Sequence, residues 1–187
     1  MPFISSTADG TDHLANLRRL VASRWAVLAV MALLVAIAPG ALEITLPQWP
    51  LFAIIGLMAA FNAVIQWRVT HAMQASPNEL LSQLLIDIVT LGALVFFSGG
   101  ATNPLVSLLL PPVAIAALTL PARSVVIVGG SAITVYSLLM VYYLPLPMPD
   151  ATRATRLHLI GMWLTFAISA ILIAWLVVRM TRLIRLR

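Results

Sequence analysis

The sequence predicts an all-α membrane protein with six transmembrane helices and both termini in the cytoplasm. Of its 187 residues, 61% are hydrophobic and only 9% are charged, whereas a soluble domain averages about 25% charged residues. Six membrane helices of ~20 residues each would use ~120 residues, which leaves enough for loops and tails. The composition therefore excludes an ordinary soluble domain, and the absence of cysteine excludes disulfides and thiolate metal sites in this chain.

Six apolar runs are separated by polar or proline-containing breaks. The predicted spans cover residues 25–40, 50–67, 80–97, 104–120, 124–144 and 157–178. A retained first span is favoured over a cleaved signal peptide, because Pro39 would directly follow the cleavage site. Three regions result: a cytoplasmic N-terminal region, 1–24, a six-helix domain, 25–178, and the start of a cytoplasmic helix, 179–187.

The N-terminal region divides into two predicted parts. Its first 13 residues are polar and small, and they are expected to form a disordered tail. Leu14, Leu17 and Val21 then recur at helical spacing between arginines, which is typical of a short helix lying at the membrane surface. The same residues could equally form the first turns of span 1.

The orientation follows from the arginines, which make up all eleven basic residues. With the N-terminus inside, only Arg153 and Arg156 lie outside and the other nine face the cytoplasm, as the positive-inside rule requires. The predicted location is therefore a membrane that the chain crosses several times, with both termini on the cytoplasmic side. Since most arginines flank apolar runs, the positive charge indicates contact with the lipid bilayer and not with nucleic acid.

Four residues with a carboxylate or amide side chain fall inside the predicted spans, where such groups are costly. Gln83 and Asp87 share one face of span 3, and Asn62 and Gln66 share one face of span 2 at a similar depth. One interpretation is a structural hydrogen-bond cluster that joins the two helices. The other is a proton-linked or ligand-linked site on Asp87, whose pKa burial would raise. In either case we expect Asp87 to lie against span 2.

The connection between spans 3 and 4 is the second unusual segment. Gly99 and Gly100 allow a sharp bend with uncovered amides, and Asn103-Pro104 is typical of a helix N-cap followed by proline in the first turn. Such a loop would suit the carbonyl oxygens of a neutral ligand at membrane depth. The alternative is a plain turn before a helix that the Pro111-Pro112 pair makes irregular.

The loop resembles a known motif. Residues 99–105, GGATNPL, are similar to the G-G-x-x-N-P-F heptapeptide of the RegB/PrrB-type redox-sensing histidine kinases. Asp87, twelve residues before the glycines, and Arg24-Trp25 at the head of span 1 also resemble that family. The resemblance implies a bacterial inner membrane as the location and ubiquinone as the sensed ligand. It assigns the quinone contacts to these residues: Gly99, Gly100, Ala101, Thr102, Asn103, Pro104 and Leu105, the last of which replaces the family's phenylalanine.

The resemblance implies the membrane sensor domain of a two-component histidine kinase, which would act as a homodimer and signal to a cytoplasmic response regulator. None of His13, His71 and His158 lies in a phosphoacceptor motif of the H-E-x-x-T/N-P type, and no ATP-binding segment follows. We therefore predict no catalytic or metal residue here and interpret the chain as a sensor region without its kinase. The alternative function is a small six-helix transporter or substrate-binding subunit, which the gene sequence beyond residue 187 would distinguish.

The last nine residues are predicted to continue span 6 as a signalling helix. No glycine or proline follows Gly161, so nothing in the sequence stops that helix. Met180, Leu183 and Ile184 are candidates for the start of a dimer seam. Alternatively, the arginines among them only fix the orientation at anionic headgroups.

Overall fold

The computed structural model describes the backbone of residues 3–41, 45–145, 155–156 and 158–163, and the side chains of these residues outside 3–11 and 41. Every regular element in this part of the chain is helical. The α-helices are α1 (Phe3–Ala41), α2 (Gln48–His71), α3 (Pro77–Phe96), α4 (Leu110–Thr119) and α5 (Ala122–Val141). Two 3-10 helices, Gly100–Thr102 and Pro104–Leu109, connect α3 to α4.

The helices have the lengths that a membrane requires. Within the described residues, four segments are long and apolar enough to cross: Asp12–Gly40, Gln48–His71, Pro77–Phe96 and Ala122–Val141. The fourth predicted span is the shorter helical stretch Pro104–Thr119. Its 3-10 part rises ~2.0 Å per residue and its α part ~1.5 Å, so it reaches about 27 Å of a hydrocarbon core about 30 Å thick. Of the sixth predicted span only 158–163 is described, and it is helical.

The N-terminal region differs from the prediction. The structure has a continuous helix from Phe3 to Ala41, so the disordered tail is wrong over most of its predicted length. The segment around Leu14 is not a separate surface helix but part of α1. Leu14, Leu17 and Val21 are buried, because they start a core stripe that continues along the same helix into the membrane-spanning part.

Contacts divide the chain into two compact units, Met1–Gln83 and Leu84–Arg187, with the boundary inside α3. In the first unit α1 and α2 run antiparallel, since Arg18 Nε donates to the Val69 carbonyl (2.9 Å) and Gln48 Nε2 donates to the Val35 carbonyl (3.1 Å). Nine of the described side chains of α1 are buried. One of them is Leu20, and the other eight recur at spacings of three and four, the spacing of a coiled-coil seam: Leu14, Leu17, Val21, Arg24, Leu28, Met31, Val35 and Ala38.

The second unit contains most of α3, the two 3-10 helices, α4 and α5. Ile88, Ala116 and Val128 are fully buried in it. α3 and α5 pack closely at Gly92, where an added Cβ would lie 2.6 Å from Val135 Cγ1. The amide of Leu144 donates to the carbonyl of Phe96 (3.0 Å), which ties the chain beyond α5 to the end of α3.

The irregular fourth span is confirmed. Pro111 and Pro112 lie in the first turn of α4, where a missing amide is tolerated. Before them the chain is a 3-10 helix, in which the Leu110 amide donates to the carbonyl of Ser107. In an α-helix the Ser107 carbonyl would accept from the amide of residue 111, but Pro111 has no N–H. In the 3-10 helix the Leu110 amide donates to this carbonyl instead. The carbonyl is therefore hydrogen-bonded without a sharp kink in the helix.

Candidate functional site

The connection between α3 and α4 is a compact loop with left-handed glycines. Gly99 has φ 109° and Gly100 has φ 64°, a region that favours glycine because it has no Cβ. Together they reverse the chain over a few residues. The predicted sharp bend at these two positions is therefore confirmed.

Asn103 holds this loop through all of its side-chain polar atoms. Its Nδ2 donates to the carbonyl and to Oγ of Ser98, both at 2.7 Å. Its Oδ1 accepts from the Leu105 amide at 2.9 Å and caps the helix that begins at Pro104. The predicted N-cap is confirmed, but the amide group is engaged within the loop.

The two glycines are not exposed as the sequence suggested. Both are buried, and a Cβ on Gly100 would lie 2.3 Å from Tyr143 Cβ and 2.9 Å from the Leu139 carbonyl oxygen. The prediction of uncovered amides is wrong for Gly99 and Gly100, because the bend packs against the end of α5. Glycine is required here by space as well as by backbone conformation.

The surface of the loop is formed by other residues of the motif. Thr102 is exposed, while Ala101, Pro104 and Leu105 are half-buried. The Thr102 hydroxyl donates to the Gly99 carbonyl at 2.7 Å, which leaves its lone pairs to accept. Half-buried Phe97 packs edge-on against Phe96, with ring centroids 5.1 Å apart. A small apolar surface with one hydroxyl acceptor thus adjoins the loop.

The polar residues of the first unit meet around Arg24. This arginine is buried, and its Nη1 donates to Oδ1 of Asn62 (3.2 Å) and to Oε1 of Gln83 (3.1 Å). Nη2 reaches the Gln83 carbonyl (3.4 Å), and the guanidinium lies 5.9 Å from the ring centroid of Phe61, within cation–π range. Arg24 therefore joins α1, α2 and the start of α3.

The predicted cluster is partly assembled in this unit. Asn62 is fully buried and also donates to the Val21 carbonyl (3.1 Å). Gln66, one turn further along α2, is exposed and accepts from Trp25 Nε1 at 2.7 Å. Asp87 is half-buried in the second unit, one turn after Gln83 on α3. Its predicted position beside Asn62 or Gln66 stays a prediction.

Sequence reasoning missed Arg24 as the centre of the cluster. It was counted only as an orientation signal and as part of the resemblance at the head of span 1. The signal that could have found it is its spacing, since Arg24 follows Val21 by three residues and precedes Leu28 by four. Asn62 likewise falls on the buried stripe of α2, four residues after Met58 and seven after Ile55. Both polar residues occupy positions that a periodic core assigns to apolar side chains.

At the membrane surface, the loop between α2 and α3 has ordinary helix-terminus chemistry. The Ser76 hydroxyl accepts from the amide of Glu79 at 3.1 Å, which caps α3. The Glu79 carboxylate also forms an ion pair with Arg68 at the end of α2. These contacts fix the start of α3 beside the end of α2, and they include no group aimed at a ligand.

Comparison with known proteins agrees with this architecture. The family model described as PilS-like transmembrane domain matches residues 7–186. Sensor histidine kinase RegB from Cereibacter sphaeroides is 29% identical over 156 residues, which are 82% of this chain and 34% of that protein. The chain thus spans about a third of the length of this relative. No solved structure matches the chain. The predicted all-α, six-helix, multi-pass membrane fold is confirmed, and the chain belongs to the family of PilS-like transmembrane domains.

Proposed function

We propose that this chain is the membrane sensor region of a two-component histidine kinase and that it senses a quinone. The observation that carries the kinase assignment is the similarity to sensor histidine kinase RegB over 82% of the chain. In this proposal a homodimeric kinase receives the signal from the membrane helices and passes a phosphoryl group to a cytoplasmic response regulator. The chain lies in a bacterial inner membrane with both termini in the cytoplasm.

The proposed ligand is a ubiquinone-type headgroup beside the loop from Gly99 to Leu105. The geometry separates this motif into two sets of residues. Gly99, Gly100 and Asn103 are engaged inside the loop and give it its shape. Thr102 and Leu105 reach its surface, and they are the proposed contacts, together with the nearby ring of Phe97.

The redox state of the quinone would be distinguished by hydrogen-bond direction. A quinol carries hydroxyl donors, whereas an oxidised quinone has only carbonyl acceptors. Because the Thr102 hydroxyl already donates to the Gly99 carbonyl at 2.7 Å, it can accept from a quinol but has no second proton for a quinone. Thr102 therefore favours the reduced form, and such a difference in affinity is what lets a ligand shift an equilibrium.

The test uses the full-length kinase in lipid nanodiscs with a short-chain ubiquinone as the probe. Autophosphorylation and probe affinity are measured with the probe oxidised and reduced. We expect tighter binding of the quinol and a kinase activity that depends on redox state. Thr102→Val should reduce quinol affinity by about 2–10-fold, the value of one neutral hydrogen bond, and Thr102→Ser, which keeps the hydroxyl, is the matched control.

Three results would contradict different parts of the proposal. If the protein binds both forms of the probe but neither form changes its autophosphorylation rate, quinone is not the signal. A full-length protein that shows no autophosphorylation but moves a solute across the membrane would favour the transporter alternative. Equal quinol affinity in Thr102→Val and Thr102→Ser would remove Thr102 from the binding surface.

A further inference from the structure

The loop between α3 and α4 has a close neighbour in the sixth predicted span. A Cβ built on Gly161 would lie 2.8 Å from Pro104 Cγ and 3.3 Å from Pro104 Cβ. Real Cβ atoms do not approach other atoms to 2.8 Å, so no larger residue fits at Gly161 without a shift. The backbone of the helical segment 158–163 thus rests directly on the proline ring.

This closeness is not a general property of the glycines in the second unit. A Cβ on Gly130 of α5 would have no atom within 4 Å, and one on Gly129 would meet only Val113 Cγ1 at 3.9 Å. Gly92 and Gly100 do have close neighbours, but both contacts are with α5 or the residues after it. Gly161, by contrast, brings the helical segment 158–163 directly against a residue of the loop.

Pro104 is well suited to transmit a movement of the loop. Its ring is rigid and fixes its own φ, and the residue before it, Asn103, is held by three side-chain hydrogen bonds of 2.7–2.9 Å. On the other side of the motif, Gly100 is fixed against Tyr143. A displacement at Thr102 or Leu105 therefore moves Pro104 together with the loop, because no flexible side chain lies between them to absorb the movement.

We propose that the contact between Pro104 and Gly161 couples the loop to the signalling output of the sixth span. The inference rests on the proposed sensor function and adds the route by which the ligand acts. A ligand beside the loop changes the position of Pro104, and Gly161 follows because nothing lies between the proline ring and the helix backbone. Residues 164–187 come directly after this helix segment along the chain and lead towards the proposed kinase.

The first experiment places a methyl group in the contact in the full-length kinase. Gly161→Ala should bind the short-chain ubiquinone with wild-type affinity but lose the ligand-dependent change in autophosphorylation. Gly161→Ala/Pro104→Ala removes the ring atom at 2.8 Å but keeps the two Cβ atoms in direct contact at 3.3 Å, so it should restore that change. Gly130→Ala, a helical glycine with open space around it, is the matched control and should respond like wild type.

The second experiment joins the two residues covalently and needs no ligand. Cβ atoms at positions 104 and 161 would lie 3.3 Å apart, close to the ~3.5–4.5 Å of disulfides. This chain contains no cysteine. Once any cysteine in the rest of the full-length kinase is replaced, Pro104→Cys/Gly161→Cys therefore introduces the two cysteines that can form a disulfide. Oxidation should form the disulfide and hold autophosphorylation at one rate, whether or not ligand is present. Reduction should break the disulfide and restore the original behaviour. Pro104→Cys/Gly130→Cys should form no bond.

The outcomes separate this proposal from the function on which it rests. If wild type ignores quinone but the disulfide changes autophosphorylation, the coupling stands and the assigned ligand is wrong. If wild type responds to quinone and Gly161→Ala responds equally, the coupling is wrong and the sensor function stands. A disulfide that forms without any effect on autophosphorylation, or a pair that does not form it, would also overturn the coupling.

Discussion

Arg24 of α1 donates a hydrogen bond to Asn62 of α2, at positions where a coiled-coil seam would have two apolar residues. The Nη1–Oδ1 distance is 3.2 Å, with Arg24 5% exposed and Asn62 fully buried. A buried arginine is costly unless hydrogen bonds compensate its desolvation. Asn62 and Gln83 accept hydrogen bonds from Arg24, so these contacts fix the register of α1, α2 and the start of α3 at this position.

Replacing Arg24 should destabilise the protein more than replacing its neighbour Arg19. Arg24→Met keeps the length of the side chain but leaves the buried oxygens of Asn62 and Gln83 without this donor. Hydrogen bonds to charged groups contribute about 1.5–3 kcal/mol each, so we expect a loss of at least ~2 kcal/mol. Thermal unfolding in detergent measures it.

Arg19→Met is the control for that measurement. The Arg19 side chain makes one hydrogen bond, to Oδ1 of Asn16 at 3.0 Å and three residues away on the same helix. Its replacement should therefore change stability by less than ~0.5 kcal/mol. Equal melting temperatures for the Arg24 and Arg19 variants would show that the cluster carries no special stability.

Asn62 and Gln66 should respond differently to truncation, although the sequence treats them alike. Asn62→Ala removes the acceptor for Arg24 and the donor to the Val21 carbonyl, so we expect a loss of about 2–3 kcal/mol. Gln66→Ala removes one exposed bond to Trp25 and should cost under ~1 kcal/mol. Chemical unfolding of both variants would decide, and a larger loss for Gln66→Ala contradicts the arrangement.

The comparison of these residues explains how much the sequence could predict. Hydropathy located α2, α3 and α5 to within a few residues at each end, since a bilayer demands long apolar segments. It did not show that α1 begins at Phe3, because the polar residues before Leu14 carry no hydropathy signal. The N-cap at Asn103 and the irregular start of α4 followed from local rules for asparagine and proline. The burial of Arg24 did not, because arginine next to a membrane span usually marks the cytoplasmic side and only its three- and four-residue spacing favours the core.

The sequence predicted the bend at Gly99 and Gly100, but it did not predict which residues pack against that bend. Two adjacent glycines indicate unusual backbone angles whatever packs against them. Whether their amides face a ligand or a neighbouring helix depends on residues more than 35 positions away in sequence, such as Tyr143 for Gly100. The contact of Pro104 with Gly161 is equally non-local, and neither residue shows it in the sequence.

Asn103→Ala should change the stability of the loop before it changes the chemistry of any ligand contact. The variant loses the cap on the Leu105 amide and both bonds to Ser98. Loss of an N-cap alone costs ~0.5–2 kcal/mol. A lower melting temperature without ligand is the expected result, and unchanged stability with weaker quinone binding would instead assign Asn103 to the ligand.

Asn103→Asp separates the cap from the other two bonds. The aspartate keeps an acceptor for the Leu105 amide but turns an oxygen towards the Ser98 carbonyl, where Nδ2 now lies at 2.7 Å. We expect it to melt below Asn103→Ala, because two acceptors would face each other in a half-buried place. Thr102→Val loses only the bond to the Gly99 carbonyl, so it should melt closer to wild type than either Asn103 variant.

Gly100 and Gly130 provide a matched pair for the packing of the loop. Gly100→Ala combines a positive φ of 64° with a Cβ 2.3 Å from Tyr143 Cβ and 2.9 Å from a backbone oxygen. The left-handed conformation alone costs an L-residue ~1–2 kcal/mol, and a backbone oxygen cannot move aside as a flexible side chain can. We therefore expect Gly100→Ala to lower the unfolding free energy by at least ~2 kcal/mol.

Gly130→Ala should have the opposite sign. It adds the same methyl group in open space within α5, where alanine is favoured over glycine by up to ~1 kcal/mol. Both unfolding free energies are measured in the same detergent. A tolerated Gly100→Ala would contradict the close packing of the loop against the end of α5.

The orientation of the chain can be tested with single cysteines, because the chain has none of its own. Thr45, between α1 and α2, and Ser76, between α2 and α3, are both exposed, so a thiol reagent would reach cysteine at either position from the side that it faces. The arginine distribution places Thr45 outside and Ser76 inside. In intact cells an impermeant maleimide should label Thr45→Cys but should label Ser76→Cys only after the membrane is opened. The reverse pattern would place both termini outside, and because a kinase needs cytoplasmic ATP, that result would also remove the basis for proposing a kinase after residue 187.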